Sequence, residues 1–435
     1  MPKHPQITFP LLWAASLVLL ATACSGGEAP ATPGGATATP FGASSLKVVP
    51  PAAPVATIAP QPTATAVPPT RSLGTPLPTR APVVRPTTAA PPTGRAGGLN
   101  PTKPMGEARA YHSATLLLDG RVLVVGGKTT GEQLSGHAET FDPATGEWQT
   151  TSPLNHPRQS HGAALLPDGR VIITGGWGPN FQALASAEIF DPVRGTWELT
   201  NSMSVARIAH VSAALPDGKI IVVGGWNTVT LASTEIYSPS TGAWSAGPSM
   251  SAPRFDETAT VLANGSVLVA GGEDANDRRL ASAEVFNPTS STWNPVGPML
   301  TQRYRHTASL LPDGRVLVAG GTSEPGSLAS TEFFDPVTGT WSRGPTMLTA
   351  RQAHVAVALP DGRVFVAGGI DPSQRSLRSV EILDPRVVAW HSGADLFDAR
   401  NSMVAALAGD QRVLVAGGRN AGSILSSAEL YSLAR

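Results

Sequence analysis

Residue types suited to acid–base or ligand chemistry recur along this chain at a nearly fixed interval. Arginines stand at Arg109, Arg158, Arg207, Arg254, Arg303, Arg351 and Arg400, and glutamates at Glu139, Glu188, Glu235, Glu284, Glu332, Glu381 and Glu429. Three residues past an arginine come His112, His161, His210, His306 and His354, with Glu257 and Met403 at the two remaining places. Arginine with glutamate could move protons, and histidines could hold a metal. A catalytic centre, however, needs one constellation rather than seven copies, so the repeated pairs read as structural ion pairs. The histidines fall on separate units and lack every close-spaced zinc pattern, so they read as hydrogen-bonded framework residues. Neither a metal nor a cofactor is expected.

Residues carried by one unit alone are better site candidates. Trp177 and Trp226 occupy equivalent places in adjacent units and could stack a sugar ring, grip a peptide or simply pack their loops. Phe255, Asp256, Glu257, Glu273, Asp274, Tyr304 and Arg305 form a polar sector in the next two units. Such a cluster could bind a cation or a polar ligand, or be solvated loop surface.

The elements that carry these residues follow from the glycine doublets that begin at Gly126, Gly175, Gly224, Gly271, Gly320, Gly368 and Gly417, in steps of 47 to 49 residues. A period near fifty points to four-stranded blades around an axis. In the second unit, residues 161–166 and 171–174 read as strands joined by the turn Pro167-Asp168-Gly169. A third strand follows at residues 187–190, then a turn at Asp191-Pro192 and a fourth strand from Trp197. Asp-Gly between β-rich runs is a strong hairpin signal. Small residues such as Ala163-Ala164 and Ala213-Ala214 suit the innermost strand, where the sheets converge. The tryptophans Trp148, Trp197, Trp244, Trp293, Trp341 and Trp390 supply apolar surface for packing between blades.

The glycine doublet, the residue before an Asp-Pro turn and the tryptophan six places past that Asp resemble the kelch repeat over residues 98–435. The resemblance implies an all-β, seven-bladed kelch-type β-propeller, with a domain over residues 96–435. Seven doublets but six tryptophans leave the last blade short of its fourth strand, which residues 98–103 are expected to supply. That joint would remove the last exposed sheet edge. Binding is expected on the face of the second-to-third loops and the fourth-to-first connections, not on the face of repeated Asp-Gly and Asp-Pro turns.

Two segments precede the repeats. Residues 1–24 read as a signal peptide, with the apolar run 11–20 and small residues ahead of Cys24, as in a bacterial lipobox. Cys24 is the chain's one cysteine and is expected to be lipidated. Residues 25–95 are rich in Pro, Thr and Ala with few large apolar residues, the composition of a disordered linker. Formal net charge is zero, which leaves no electrostatic footprint for nucleic acid.

The expected protein is thus an exported, membrane-anchored monomer that presents its loop face to an extracellular protein or glycan. The resemblance also admits an enzyme. Galactose-oxidase-like copper chemistry needs a cysteine cross-linked to tyrosine, and Cys24 is spent in the signal region. A metal-free sugar mutarotase or isomerase, using an acid such as Glu257 with an arginine, is the alternative.

Overall fold

The computed structural model describes residues 98–432 except 325, 410 and 411. The expected signal peptide, the expected linker and Cys24 lie outside the described residues. Within them the chain forms seven four-stranded antiparallel sheets. Six sheets use consecutive strands, and the seventh takes its outer strand, Leu99–Pro101, from the start of the domain. Leu99 pairs with Tyr431, Asn100 with Leu430 and Pro101 with Glu429, so the expected joint is present in register.

Burial in each blade peaks at the second strand and falls toward the fourth, while first strands such as Ser113–Leu116 are half-buried. The second strands, such as Val122–Val125 and Ile220–Val223, are unbroken apolar runs and are buried at every residue. A strand covered on both faces has no solvent side, so it needs no alternation. Fourth strands such as Glu147–Thr150 are largely exposed, and their tryptophan turns inward. The core is therefore not one mass but seven apolar clusters, each filling the seam between two consecutive blades. Met105, Leu154, Met203, Met250, Met299, Met347 and Leu396 plug these seams, all at most 6% exposed.

The tryptophans do two jobs. Trp148, Trp197, Trp244, Trp293 and Trp341 lie tilted against an aromatic of their own third strand, with ring centroids 5.0–5.3 Å apart. Indole N–H groups then reach the preceding blade: Trp148 donates to the Lys103 carbonyl at 2.8 Å and Trp341 to that of Gly297 at 2.7 Å. The last blade has Leu99 where the tryptophan would stand. There Tyr431 crosses the seam, its ring centroid 4.9 Å from that of Phe365 and its hydroxyl accepting from Ala394 N–H at 3.1 Å.

The repeated ion pairs lie within single blades. Arg109 Nη2 meets Glu139 Oε1 at 2.7 Å, and the other six pairs span 2.5–3.2 Å. All seven arginines are fully buried. A buried guanidinium needs more than one acceptor. Nη1 of Arg158 donates to the carbonyls of Gly175 and Ser186, at 2.7 and 3.0 Å. Glu188 in turn accepts the backbone N–H groups of Asn155 and His156, fixing the incoming connection to the third strand. Each pair thus nails one connection to one sheet.

The glycine doublets are explained by crowding at the next seam. Gly175 has φ +58°, and a Cβ there would sit 2.4 Å from the Arg207 carbonyl and 2.8 Å from the His210 ring. Glycine alone takes this conformation without strain or clash.

Candidate functional site

On the loop face a continuous collar surrounds the axis. Its members are Tyr111, Ser160, Ala209, Asp256, Arg305, Ala353 and Ser402, each two places past a framework arginine and each at positive φ, between +48° and +59°. The N–H of Ser160 donates to the Tyr111 carbonyl at 3.0 Å, Ala209 to Ser160 at 3.1 Å, and Asp256 to Ala209 at 3.1 Å. Arg305, Ala353 and Ser402 continue the series, and Tyr111 closes it on Ser402 at 3.1 Å. This ring of main-chain bonds was not anticipated from the sequence. The column two places past the arginine shares no residue type that would announce it.

Outside the collar runs a second ring, Lys128, Trp177, Trp226, Glu273, Thr322, Ile370 and Arg419, one residue past each doublet. Each is bridged on one side to the residue before the collar and on the other to its own returning loop, as Trp177 is to Gln159 and Ala183. Two bridges hold these positions at a common radius although their side chains share no chemistry. Trp177 and Trp226 are half-buried and lie together, with ring centroids 5.7 Å apart at 49°. Phe181, 65% exposed, and Val229, 58% exposed, stand at the tips of the same two loops.

Glu273 follows Trp226 in the next blade and is 8% exposed. Phe255, half-buried, braces it through the backbone, donating its N–H to the Glu273 carbonyl at 3.2 Å and accepting at 3.0 Å. No hydrogen bond to the Glu273 carboxyl is formed among the described residues, and burial pushes that carboxyl up to about 7. Asp256 and Asp277 add to the rise, while Arg279 and Arg305 oppose it. Arg305 Nε donates to Asp256 Oδ2 at 3.0 Å across the seam of the fourth and fifth blades. Arg305 and Arg279 both face the ring of Tyr304, at 5.2 and 5.4 Å. Burial holds the Tyr304 phenol above its ordinary range. Across the collar, the buried Tyr111 Oη has no hydrogen-bond partner among the described residues.

The remaining members of the sector stand apart from this group. Asp274 is a loop brace: its carboxylate accepts Arg278 Nε at 2.9 Å and the N–H groups of Asn276 and Arg278. Glu257 sits between the third and fourth blades, 6% exposed, with neither carboxyl oxygen hydrogen-bonded among the described residues. Burial drives its carboxyl well above the usual range.

The histidines at the equivalent place explain why Glu257 lacks a partner. His161 Nε2 meets Ser113 Oγ at 2.8 Å, His306 meets Thr258 at 2.9 Å and His354 meets Thr307 at 3.0 Å, each the first inner-strand residue of the preceding blade; His210, whose counterpart there is Gly162, meets Thr174 of the second strand instead at 2.8 Å. For Glu257 that first inner-strand residue is Val211. Burial, aided by the neighbouring arginine, lowers His161 and His306 to about 3, so these rings are neutral framework donors or acceptors. Among the described residues no group of three or more His, Cys, Asp or Glu side chains is placed to hold a metal ion.

Two sequence families match this chain. The kelch motif matches residues 160–204 and 207–251, and the KLHDC2/KLHL20/DRC7 Kelch-repeats domain matches residues 246–418. The chain is a kelch-repeat β-propeller. Among solved structures, this kelch propeller is similar to a fungal alcohol oxidase of the AA5 family in complex with copper. That likeness has 21% identity and TM-score 0.65, covering 78% of this chain and 76% of the other. It is also similar to YjhT, at 13% identity and TM-score 0.54, covering 67% of this chain and 99% of that one. Both identities are low enough that they speak for the fold alone. Comparison with curated proteins by sequence gives no match.

Proposed function

We propose that this propeller is an exported, lipid-anchored binding module that takes a glycan on its loop face, at the sector of Trp177, Trp226 and Glu273. One observation carries the reading. Three consecutive blades place two adjoining indoles and a poorly solvated carboxyl at the same radius, beside the Asp256–Arg305 pair. Aromatic faces take the C–H faces of sugar rings, and carboxylates and guanidinium groups take their hydroxyls. A rigid rim with unlike side chains at like positions is suited to discriminating one ligand from another. The export and anchoring parts of the reading rest on residues 1–24 and on Cys24.

The test is a glycan array probed with the wild type and with a Trp177→Ala, Trp226→Ala double variant of unchanged thermal stability. Loss of about 1–3 kcal/mol of affinity in the variant is the expected outcome. Equal binding by both proteins would reject the aromatic anchor, and capture of peptides rather than glycans would move the ligand class to protein.

Glu273 favours a second reading, anomer exchange of a reducing sugar. A carboxyl near 7 beside a guanidinium is matched to proton transfer at neutral pH. In that case the acid is Glu273 rather than Glu257, which is sealed in a seam. Saturation-transfer NMR of sugar anomers, with and without Glu273→Gln, distinguishes binding from turnover.

A further inference from the structure

The opposite face, built from Asp-Gly and Asp-Pro turns, repeats itself closely enough that departures stand out. In the second, third, fifth and sixth blades the residue before the turn aspartate is a proline: Pro167, Pro216, Pro312 and Pro360. Three of these rings cover the turn glycine of the next blade. A Cβ on Gly218 would sit 2.8 Å from Pro167, one on Gly265 2.3 Å from Pro216, and one on Gly362 3.1 Å from Pro312. The first blade uses Leu118 in the same way, 3.0 Å from such an atom on Gly169. The fourth blade has Ala263 instead, and nothing lies within 4 Å of a Cβ on Gly314. Gly120 is likewise uncovered, the last blade having Gly409 at the capping place.

At Gly314 the missing ring opens a groove of about 590 Å³, with Leu262 and Ala263 along it and Asn264, Arg315 and Val337 on its sides. Val337 is 92% exposed and offers a bare apolar wall. The groove's polar lining holds two carboxylates as well as two donors: Asp313 is engaged by Arg315, and Asp335 Oδ1 accepts the Val337 N–H at 2.8 Å. Asn264 Oδ1 is spent on the Ser266 N–H at 3.0 Å, which leaves its amide NH2 without a hydrogen bond among the described residues. Arg315 directs Nε and Nη2 to Asp313 Oδ2, at 2.8 and 2.7 Å, and lies 4.5 Å from the Phe333 ring centroid. Its Nη1 has no partner among the described residues, and Asp313 and Phe333 hold the guanidinium in place.

We propose that this groove binds a proline-bearing peptide segment, whose pyrrolidine ring occupies over Gly314 the position that Pro167, Pro216 and Pro312 fill at the other seams. The proline caps at the neighbouring seams argue for that occupant by shape, and the groove holds donors for its carbonyls. A polyproline II segment has no internal hydrogen bonds, so its carbonyls need donors, while its prolines bring no N–H that needs an acceptor. Asn264 Nδ2 and Arg315 Nη1 are such donors, and Val337 with Ala263 takes the ring. The site is independent of the loop-face sector and uses none of its residues.

The experiment titrates the full-length protein with acetyl-(Ala-Pro)3-amide and, in parallel, with acetyl-(Ala)6-amide, followed by NMR or calorimetry. Two variants close the vacancy from within: Ala263→Pro, as in the blades on either side, and Ala263→Leu, as Leu118 does in the first blade. Saturable uptake of the proline peptide by the wild type, weakened at least about tenfold in a variant that keeps the wild-type melting temperature, is the expected result. Should the proline variant not fold, the leucine variant carries the comparison. Undiminished affinity in a folded variant, equal uptake of the alanine peptide, or no saturable binding of the proline peptide to the wild type would each overturn the proposal.

Discussion

Glu273 is a carboxyl that gives up solvent without gaining a hydrogen bond, and that imbalance has a measurable sign. Its ordinary value is 4.5 and its folded value about 7, raised first by burial. Between those two pH values the native state keeps a proton that the unfolded chain releases. Stability is therefore fully present below about pH 4.5 and declines as pH rises through 7. The decline should amount to about 1–3 kcal/mol and be absent in Glu273→Gln. Denaturant midpoints at pH 5 and pH 8 check this; parallel slopes in the two proteins would remove Glu273 as the cause. A second pair of residues predicts opposite signs from the same exchange of shape. Val211→Thr offers the orphaned Glu257 a hydroxyl and should stabilise by about 1 kcal/mol, whereas Thr258→Val deprives His306 of its partner and should cost about 1–2 kcal/mol. Urea unfolding of the two variants reads both, and equal signs would refute the seam pairing.

Among the elements, the closing strand carries the sharpest expectation. Residues 98–103 supply the ladder with Tyr431, Leu430 and Glu429, the Thr102 N–H bond to the Ala428 carbonyl at 3.0 Å, and the carbonyl that receives Trp148. Their deletion exposes the edge of the last blade and loosens the first, at a cost of about 3 kcal/mol or more. A melting temperature unchanged by the deletion would contradict it. This strand was legible in the sequence because a count of tryptophans came up one short and the missing place fell on Leu99. The doublets, the turns and the Arg–Glu pairs were legible for the same reason, since each states its requirement seven times. Pairing within a blade was not, because the register between a connection and a third strand is a matter of three-dimensional path. The site was legible only as a neighbourhood. Sequence placed Glu257 beside Asp256 as an equal candidate, but backbone geometry sends Glu257 into a seam while the collar carries Asp256 at the mouth. It also left out Arg279 and Tyr111, whose relevance depends on loops folding back and on contact across the axis.

At the scale of the whole molecule, the proposed leader and linker, residues 1–95, lie outside the described residues. Fatty-acid labelling of cells expressing the wild type should mark the protein, and Cys24→Ser should abolish both the label and sedimentation with membranes. Label that persists in the variant rules out the anchor. Whatever the anchor, the molecule's mouth is defined by the collar, whose seven N–H groups all point the same way round. Such a hoop has no first donor and no last acceptor. It is handed, and widening it anywhere means stretching every link or snapping one, so the bore is set by main chain alone. Tyrosine, serine, alanine, aspartate and arginine already serve as its fittings without altering its gauge. The aperture can therefore be retooled side chain by side chain while its calibre stays fixed, and a ligand that needs a wider opening must force neighbouring blades asunder to get it.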